Sequence, residues 1–199
     1  MKKEQRLFVL SIAWLIVVSL GLMKLWAYSN TPGPAATGGI TWPNETSIPR
    51  DPEHSTLVVF AHPQCPCSDA SIEELARLMA HVQGRVTVRV VFYRPAHAEA
   101  GWERTSLWNR AEAIPGVTVS ADDDGRQAAL FGAMVSGQTM LYDASGILAF
   151  EGGLTYARGH AGDNAGSTAI ASLLLKGQAL TRHSPVFGCF LRESPAAQS

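Results

Sequence analysis

Leu57-Val58-Val59-Phe60-Ala61-His62-Pro63-Gln64-Cys65-Pro66-Cys67-Ser68 is the stretch on which the reading of this chain turns. It opens on an apolar run of strand length, Leu57–Ala61, consistent with a strand buried on both faces. It then passes two cysteines one residue apart and enters a segment where Ile72, Leu75, Met79 and Val82 recur at helical spacing. Paired thiols at a strand-to-helix junction point to redox or soft-metal chemistry. A helix N-terminus places partial positive charge and free N–H groups where they favour a thiolate. Pro66 suits the first helical position, since it has no N–H to leave unpaired. Packing alone would not call for Pro63 and Pro66 on either side of the first thiol.

Downstream, Gly84 ends the helix and Val86–Phe92, rich in β-branched residues, reads as a second strand. The cysteines therefore lie inside a βαβ unit whose strands should be parallel neighbours. Ala100–Ala113 is helical by composition, with Trp108, Ala111 and Ile114 on one side, and Pro115-Gly116 stops it. Val117–Val119 reads as an edge strand and Arg126–Met134 as a short helix. Met140–Tyr142 and Ile147–Phe150 flank Asp143-Ala144-Ser145-Gly146 as a β-hairpin, and a last helix spans Ser167–Lys176. Asp122-Asp123-Asp124-Gly125 reads as a turn and helix start. A calcium loop would need glutamate at its twelfth position, where this chain has Ala133.

Upstream, the character of the chain changes twice. Met1–Arg6 is basic, Leu7–Met23 carries no charge, Lys24 can snorkel, and Trp26 and Tyr28 fit an interfacial aromatic belt. Residues 1–28 thus read as a short cytoplasmic tip and a single-pass anchor, with the remainder outside the cytoplasm. A signal peptide cleaved near Ala27-Tyr28-Ser29 is the competing reading, but the apolar run is long for one. Residues 29–54, rich in proline and glycine, read as a linker, residues 55–191 as the folded domain and 192–199 as a flexible tail. A net charge of −1 over 199 residues, with few basic clusters, argues against a nucleic-acid partner. An anchored domain outside the cytoplasm also meets conditions in which disulfides persist.

Phe60–Ser68 resembles the active-site segment of the thioredoxin superfamily. Together with Gly152-Gly153-Leu154-Thr155 and Arg158-Gly159-His160-Ala161-Gly162-Asp163-Asn164, it is similar to membrane-anchored bacterial proteins of the RedB type. The resemblance implies an α/β, thioredoxin-like fold, a central mixed sheet flanked by helices, behind the N-terminal transmembrane helix. It also implies thiol–disulfide exchange at Cys65 and Cys67 with protein thiols or disulfides and a redox partner, with no cofactor, on the periplasmic side of the inner membrane. The chain departs from the family twice. Its pair is Cys-x-Cys, and Gln138, expected trans, stands where the superfamily places a cis-proline.

Cys65 is expected to be the exposed nucleophile and Cys67 the resolving thiol, although an ungapped alignment would swap them. Pro66 is part of that site. His62, three positions before Cys65, could pair with a thiolate or bind metal. The alternative to the oxidoreductase is a periplasmic Cu(I)-handling protein using His62, Cys65 and Cys67, since soft thiolates select that ion. A scaffold with vestigial cysteines is the third possibility. His160, Asp163 and Asn164 are candidate acid–base or docking groups, weighed against a glycine-rich turn whose Asn or Asp caps the last helix. Arg158 reads as a solvated charge. Cys189, an odd cysteine in an exported chain, could return to Cys65 or pack inertly with Phe187 and Phe190.

Overall fold

The computed structural model describes residues 3–36 and 38–192; Met1, Lys2 and residues 193–199 of the expected tail lie outside the described residues. The chain divides into two compact units, Met1–Thr31 and Pro32–Ser199. The first holds α1, Lys3–Asn30, an apolar helix of 28 residues with mean hydropathy 2.2 over its most apolar window. At 1.5 Å per residue it is roughly 42 Å long, enough to cross a bilayer. Asn30 and Thr31 close its last turn by donating to the carbonyls of Trp26 and Ala27, and Pro32 cannot continue it.

The second unit is built on β1, Ser55–Ala61, which lies at the centre of a five-stranded sheet. On one side β2, Val86–Arg94, runs parallel to it, and β3, Val117–Asp123, runs parallel to β2 at the edge. On the other side β4, Gln138–Tyr142, and β5, Leu148–Gly152, form an antiparallel hairpin, giving the order β3-β2-β1-β4-β5. The helices are α2, Cys67–Val82; α3, Ser106–Glu112; α4, Arg126–Leu130; and α5, Ala165–Lys176. This is the thioredoxin-like fold expected from the sequence. The uninterrupted apolar run of β1 follows from its position, because both faces of the strand are covered. Leu57, Val59 and Ala61 join one apolar cluster with α2, α3 and α5, while Val58 and Phe60 join a second cluster with Ala128 and Phe131.

That second face decides the fate of the expected linker. Helix α4 has only five residues and cannot cover the face alone. Part of the proline-rich stretch is laid across it instead. Trp42 stands edge-on to both Phe131 and Tyr142 at 5.1 Å, Ile48 is buried in the same cluster, and Thr41 bridges to Ile147. The prolines do keep this stretch from forming helix or extended strand. They do not keep it off the domain. Helix α3 is also shorter than its composition suggests, because residues 100–105 are mostly turns that carry Trp102 and Glu103. Gly132, with φ of 67°, closes the turn after α4.

Candidate active site

Backbone geometry places the two neighbouring thiols. After β1 the chain turns tightly, with Cys65 N–H donating to the His62 carbonyl at 3.1 Å and Ser68 N–H to the Cys65 carbonyl at 3.0 Å. Pro66 has helical angles (φ −59°, ψ −28°) and serves as the N-cap, one residue ahead of the first helical residue, Cys67. The turn before β4 braces this junction. Ser136 Oγ accepts from His62 N–H at 2.8 Å and shares a 2.5 Å hydrogen bond with Ser68 Oγ. Gly137 N–H donates to the Phe60 carbonyl at 2.7 Å. The φ of 89° and the nearness of Ser71 Oγ leave room for no side chain at Gly137.

The third thiol arrives from far along the chain. Cys189 Sγ lies 2.7 Å from Cys65 Sγ, well inside van der Waals contact, and the sulfurs of Cys65, Cys67 and Cys189 all lie within 4.8 Å of one another. All three are free cysteines. Cys65, expected to be exposed, is only 4% accessible, whereas Cys67 and Cys189 are half-buried. The Cys189 sulfur is packed directly against that of Cys65.

These surroundings separate the thiols chemically. Burial by itself would raise the Cys65 pKa, but hydrogen bonds from the Cys189 thiol, the Cys189 and Cys67 N–H groups and the Ser68 hydroxyl outweigh it. Its value therefore falls below the ordinary 9.0. Burial and then the Cys65 charge push Cys67 up, against a smaller opposing effect of Arg158. Burial, followed by the hydrogen bond to Cys65 and its charge, pushes Cys189 up to about 12. The cluster can thus hold one thiolate between two protonated thiols.

The remaining candidates fall in different places. His62 is not part of the sulfur cluster. Its ring stacks on Tyr93 and meets Trp102 edge-on, both at 5.7 Å, and its Nδ1 accepts from Gln64 N–H. Burial lowers its pKa, which disfavours the imidazolium that an ion pair with a thiolate would need. Cys189 takes the third place in the ligand set where His62 was expected. Gln138 follows a trans peptide and is fully buried, its Oε1 accepting from the N–H groups of Met134 and Val135. It shapes the turn from inside, and Ser136 is the residue that faces the thiol junction.

In the loop before α5, His160 is exposed beside Tyr156, with its Nδ1 at 2.7 Å from the Arg158 carbonyl, and Asp163 is exposed. Asn164 caps α5 by accepting from Ser167 N–H at 2.8 Å, and its amide also donates to the buried Glu74. Arg158 is no solvated charge, since it donates to the Gly188 carbonyl and acts electrostatically on Cys67 and Cys189. Ser68, Ser136 and Glu74 had not stood out in the sequence. Isolated serines carry no pattern, and Ser71-x-x-Glu74 has a capping-box spacing that α2, which starts at Cys67, does not use.

No family model matches the chain, and no curated protein sequence is similar to it. Among solved structures, an uncharacterized conserved protein of Geobacillus kaustophilus is similar with a TM-score of 0.57 and 18% identity. That match covers 83% of this chain and 94% of the other. A hypothetical protein of Sinorhizobium meliloti 1021 gives 0.55 and 21%, over 83% and 96% respectively. A secreted Mycobacterium tuberculosis disulfide oxidoreductase homologous to Escherichia coli DsbE gives 0.40 and 21%, over 49% and 67%. These likenesses concern the fold. The narrower resemblance to RedB-type proteins rests on its motifs.

Proposed function

We propose that this protein is a thiol–disulfide oxidoreductase anchored by α1 in the inner membrane, its folded domain facing the periplasm. The observation that carries the reading is Cys65. It is a buried thiol with a lowered pKa at the junction of the central strand and α2, supplied with four hydrogen-bond donors and flanked by two further thiols. Its thiolate attacks one sulfur of a disulfide R–S–S–R′, forming Cys65–S–S–R and releasing R′S⁻. A second protein thiol then attacks Cys65 Sγ, closes an internal disulfide and releases the other substrate sulfur, to which its proton passes. Run in reverse, the oxidised protein takes two electrons from a substrate dithiol. Partners of this chemistry are protein thiols or disulfides and a redox protein that resets the site.

The test is disulfide exchange by the full chain in detergent, with alkaline phosphatase fused after Ser199 reporting the side of the membrane. Exchange that depends on Cys65, with an active fusion, supports the proposal. Equal activity in Cys65→Ser and wild type defeats the chemistry, and an inactive fusion defeats the orientation.

One observation favours a second reading. Three sulfurs within 4.8 Å of one another, on Cys65, Cys67 and Cys189, form a donor set suited to Cu(I). Tight Cu(I) binding by the reduced protein, without exchange activity, would put copper handling in place of the oxidoreductase.

A further inference from the structure

The cover over Cys65 is a continuous strap. It leaves the edge of β5, where Glu151 N–H donates to the Arg182 carbonyl and Ser184 N–H donates back to the Glu151 carbonyl. Val186 is then held by a hydrogen bond from Gly33 N–H to its carbonyl at 2.8 Å. The strap next pairs antiparallel with the turn before β4. Ser136 N–H donates to the Cys189 carbonyl at 2.8 Å and Leu191 N–H to the Met134 carbonyl at 2.9 Å, around the bridge between Val135 and Phe190. Val186, Phe187 and Leu191 are buried on either side of the thiol, while Phe190 points outward. Gly188 lies so close that a Cβ there would run into the Ser136 carbonyl oxygen. Arg158 holds the Gly188 carbonyl from the other side. Cys189 is therefore delivered by main-chain pairing on a surface that admits only glycine beside it.

We propose that the internal disulfide of this protein is Cys65–Cys189, and that the strap carrying Cys189 is the cover an external disulfide must displace to reach Cys65. Two geometric facts favour Cys189 over Cys67 as the partner. The Cys65 and Cys189 sulfurs, 2.7 Å apart, need only close to about 2.05 Å to bond. Cys65 and Cys67 instead flank a proline with helical angles at the start of α2, and residues two apart on a helical turn do not face each other. Joining them would unwind the first turn.

The exchange rests on the oxidoreductase reading, whereas the pairing itself does not. In the exchange, Cys65 attacks the external disulfide once the strap lifts, and Cys189 re-enters to attack the mixed disulfide at Cys65 Sγ. The Cys65–Cys189 bond forms as the Cys65–S–S–R bond breaks, and the proton of Cys189 goes to the departing thiolate.

The test is peptide mapping, without reduction, of the full chain in detergent after mild oxidation with glutathione disulfide. The expected result is a peptide pair joined through Cys65 and Cys189 as the dominant species. Gly188→Val, which keeps every thiol but places a side chain against Ser136, should lose that pair and form Cys65–Cys67 or a glutathione adduct instead. Cys65–Cys67 as the dominant bond of the wild type overturns the proposal, and so does an undiminished Cys65–Cys189 pair in Gly188→Val. If the variant does not fold, the wild-type map decides alone. A mapped Cys65–Cys189 bond without exchange turnover would fell the oxidoreductase reading and leave the pairing standing. Turnover with only Cys65–Cys67 would do the reverse.

Discussion

Two regions of this molecule each bring thiol to one point, and they do so by opposite means. At the junction of β1 and α2, two cysteines are placed by their immediate neighbours: a strand end, a tight turn and Pro66 at a helix start. In the strap, one cysteine is placed 124 residues away from its partner by backbone pairing with the turn before β4. The first arrangement is local and survives wherever the turn survives. The second exists only while the strap stays seated, and its free energy is tied to a few hydrogen bonds and the burial of Val186, Phe187 and Leu191. A reactive group held locally and a cover held by tertiary contacts give a site whose exposure can change without the fold changing.

The largest expected effect strikes the local side of this contrast. Cys65→Ser should reduce exchange to the background of solution thiols, while Cys189→Ser should leave the first attack intact and prolong the mixed disulfide. Equal loss in both variants, measured by stopped-flow exchange with a fluorescent disulfide, would erase the distinction between nucleophile and cover.

Next comes the stretch wrapped over the second sheet face, which like the strap is held by tertiary contacts. Trp42→Ala should destabilise the domain by about 2–3 kcal/mol, since it removes an indole packed edge-on against Phe131 and Tyr142. A free tether would give no change in denaturant midpoint, so this experiment separates wrapping from tethering.

Asn164→Ala sharpens the comparison from the loop before α5. It removes the helix cap and one donor to buried Glu74, for a loss of about 1–2 kcal/mol. Exchange rates should hold. A fall in the rate with stability unchanged would restore Asn164 as a docking group.

The pH dependence has a sign that follows from Cys65 and Cys189. Cys65 titrates below 9.0 in the folded chain, so the unfolded chain binds more protons in that window and stability rises with pH up to the unfolded value. Cys189, pushed up to about 12, keeps its proton in the folded chain, and its contribution is lost as pH rises from the unfolded value through 12. Ultraviolet thiolate titration of the reduced protein should show one early step, absent in Cys65→Ser. A single step at the ordinary cysteine value would contradict the arrangement.

His62→Ala gives the smallest effect, about 1 kcal/mol from the lost ring contacts with Tyr93 and Trp102. Cu(I) affinity of the reduced protein should not change, because His62 stands outside the sulfur cluster. A marked loss of affinity would bring it back as a ligand.

Much of this was legible from neighbouring residues alone. Periodicity in Leu57–Ala61, Ile72–Val82 and Val86–Phe92 is enough to place a βαβ unit, because side-chain direction alternates along a strand and recurs every turn of a helix. Pro66 between two cysteines marks the helix start, and the uncharged run after Arg6 marks a helix fit to cross a membrane. These are short-range facts, decided by backbone sterics and by the match of apolar length to a bilayer. Which surfaces remain uncovered after the sheet forms is a different matter. Helix α4 is too short to cover the second face, so Trp42 and Ile48 cross it, and the chain that leaves α5 is laid along β5 and the turn at Ser136. Proline and glycine content forecasts the absence of helix in such segments but not their docking partner, because that partner is a surface assembled from strands far apart in sequence. The burial of Cys65, the packing of His62 on Tyr93 and Trp102 and the arrival of Cys189 all follow from that assembly. Only the tertiary structure could decide them.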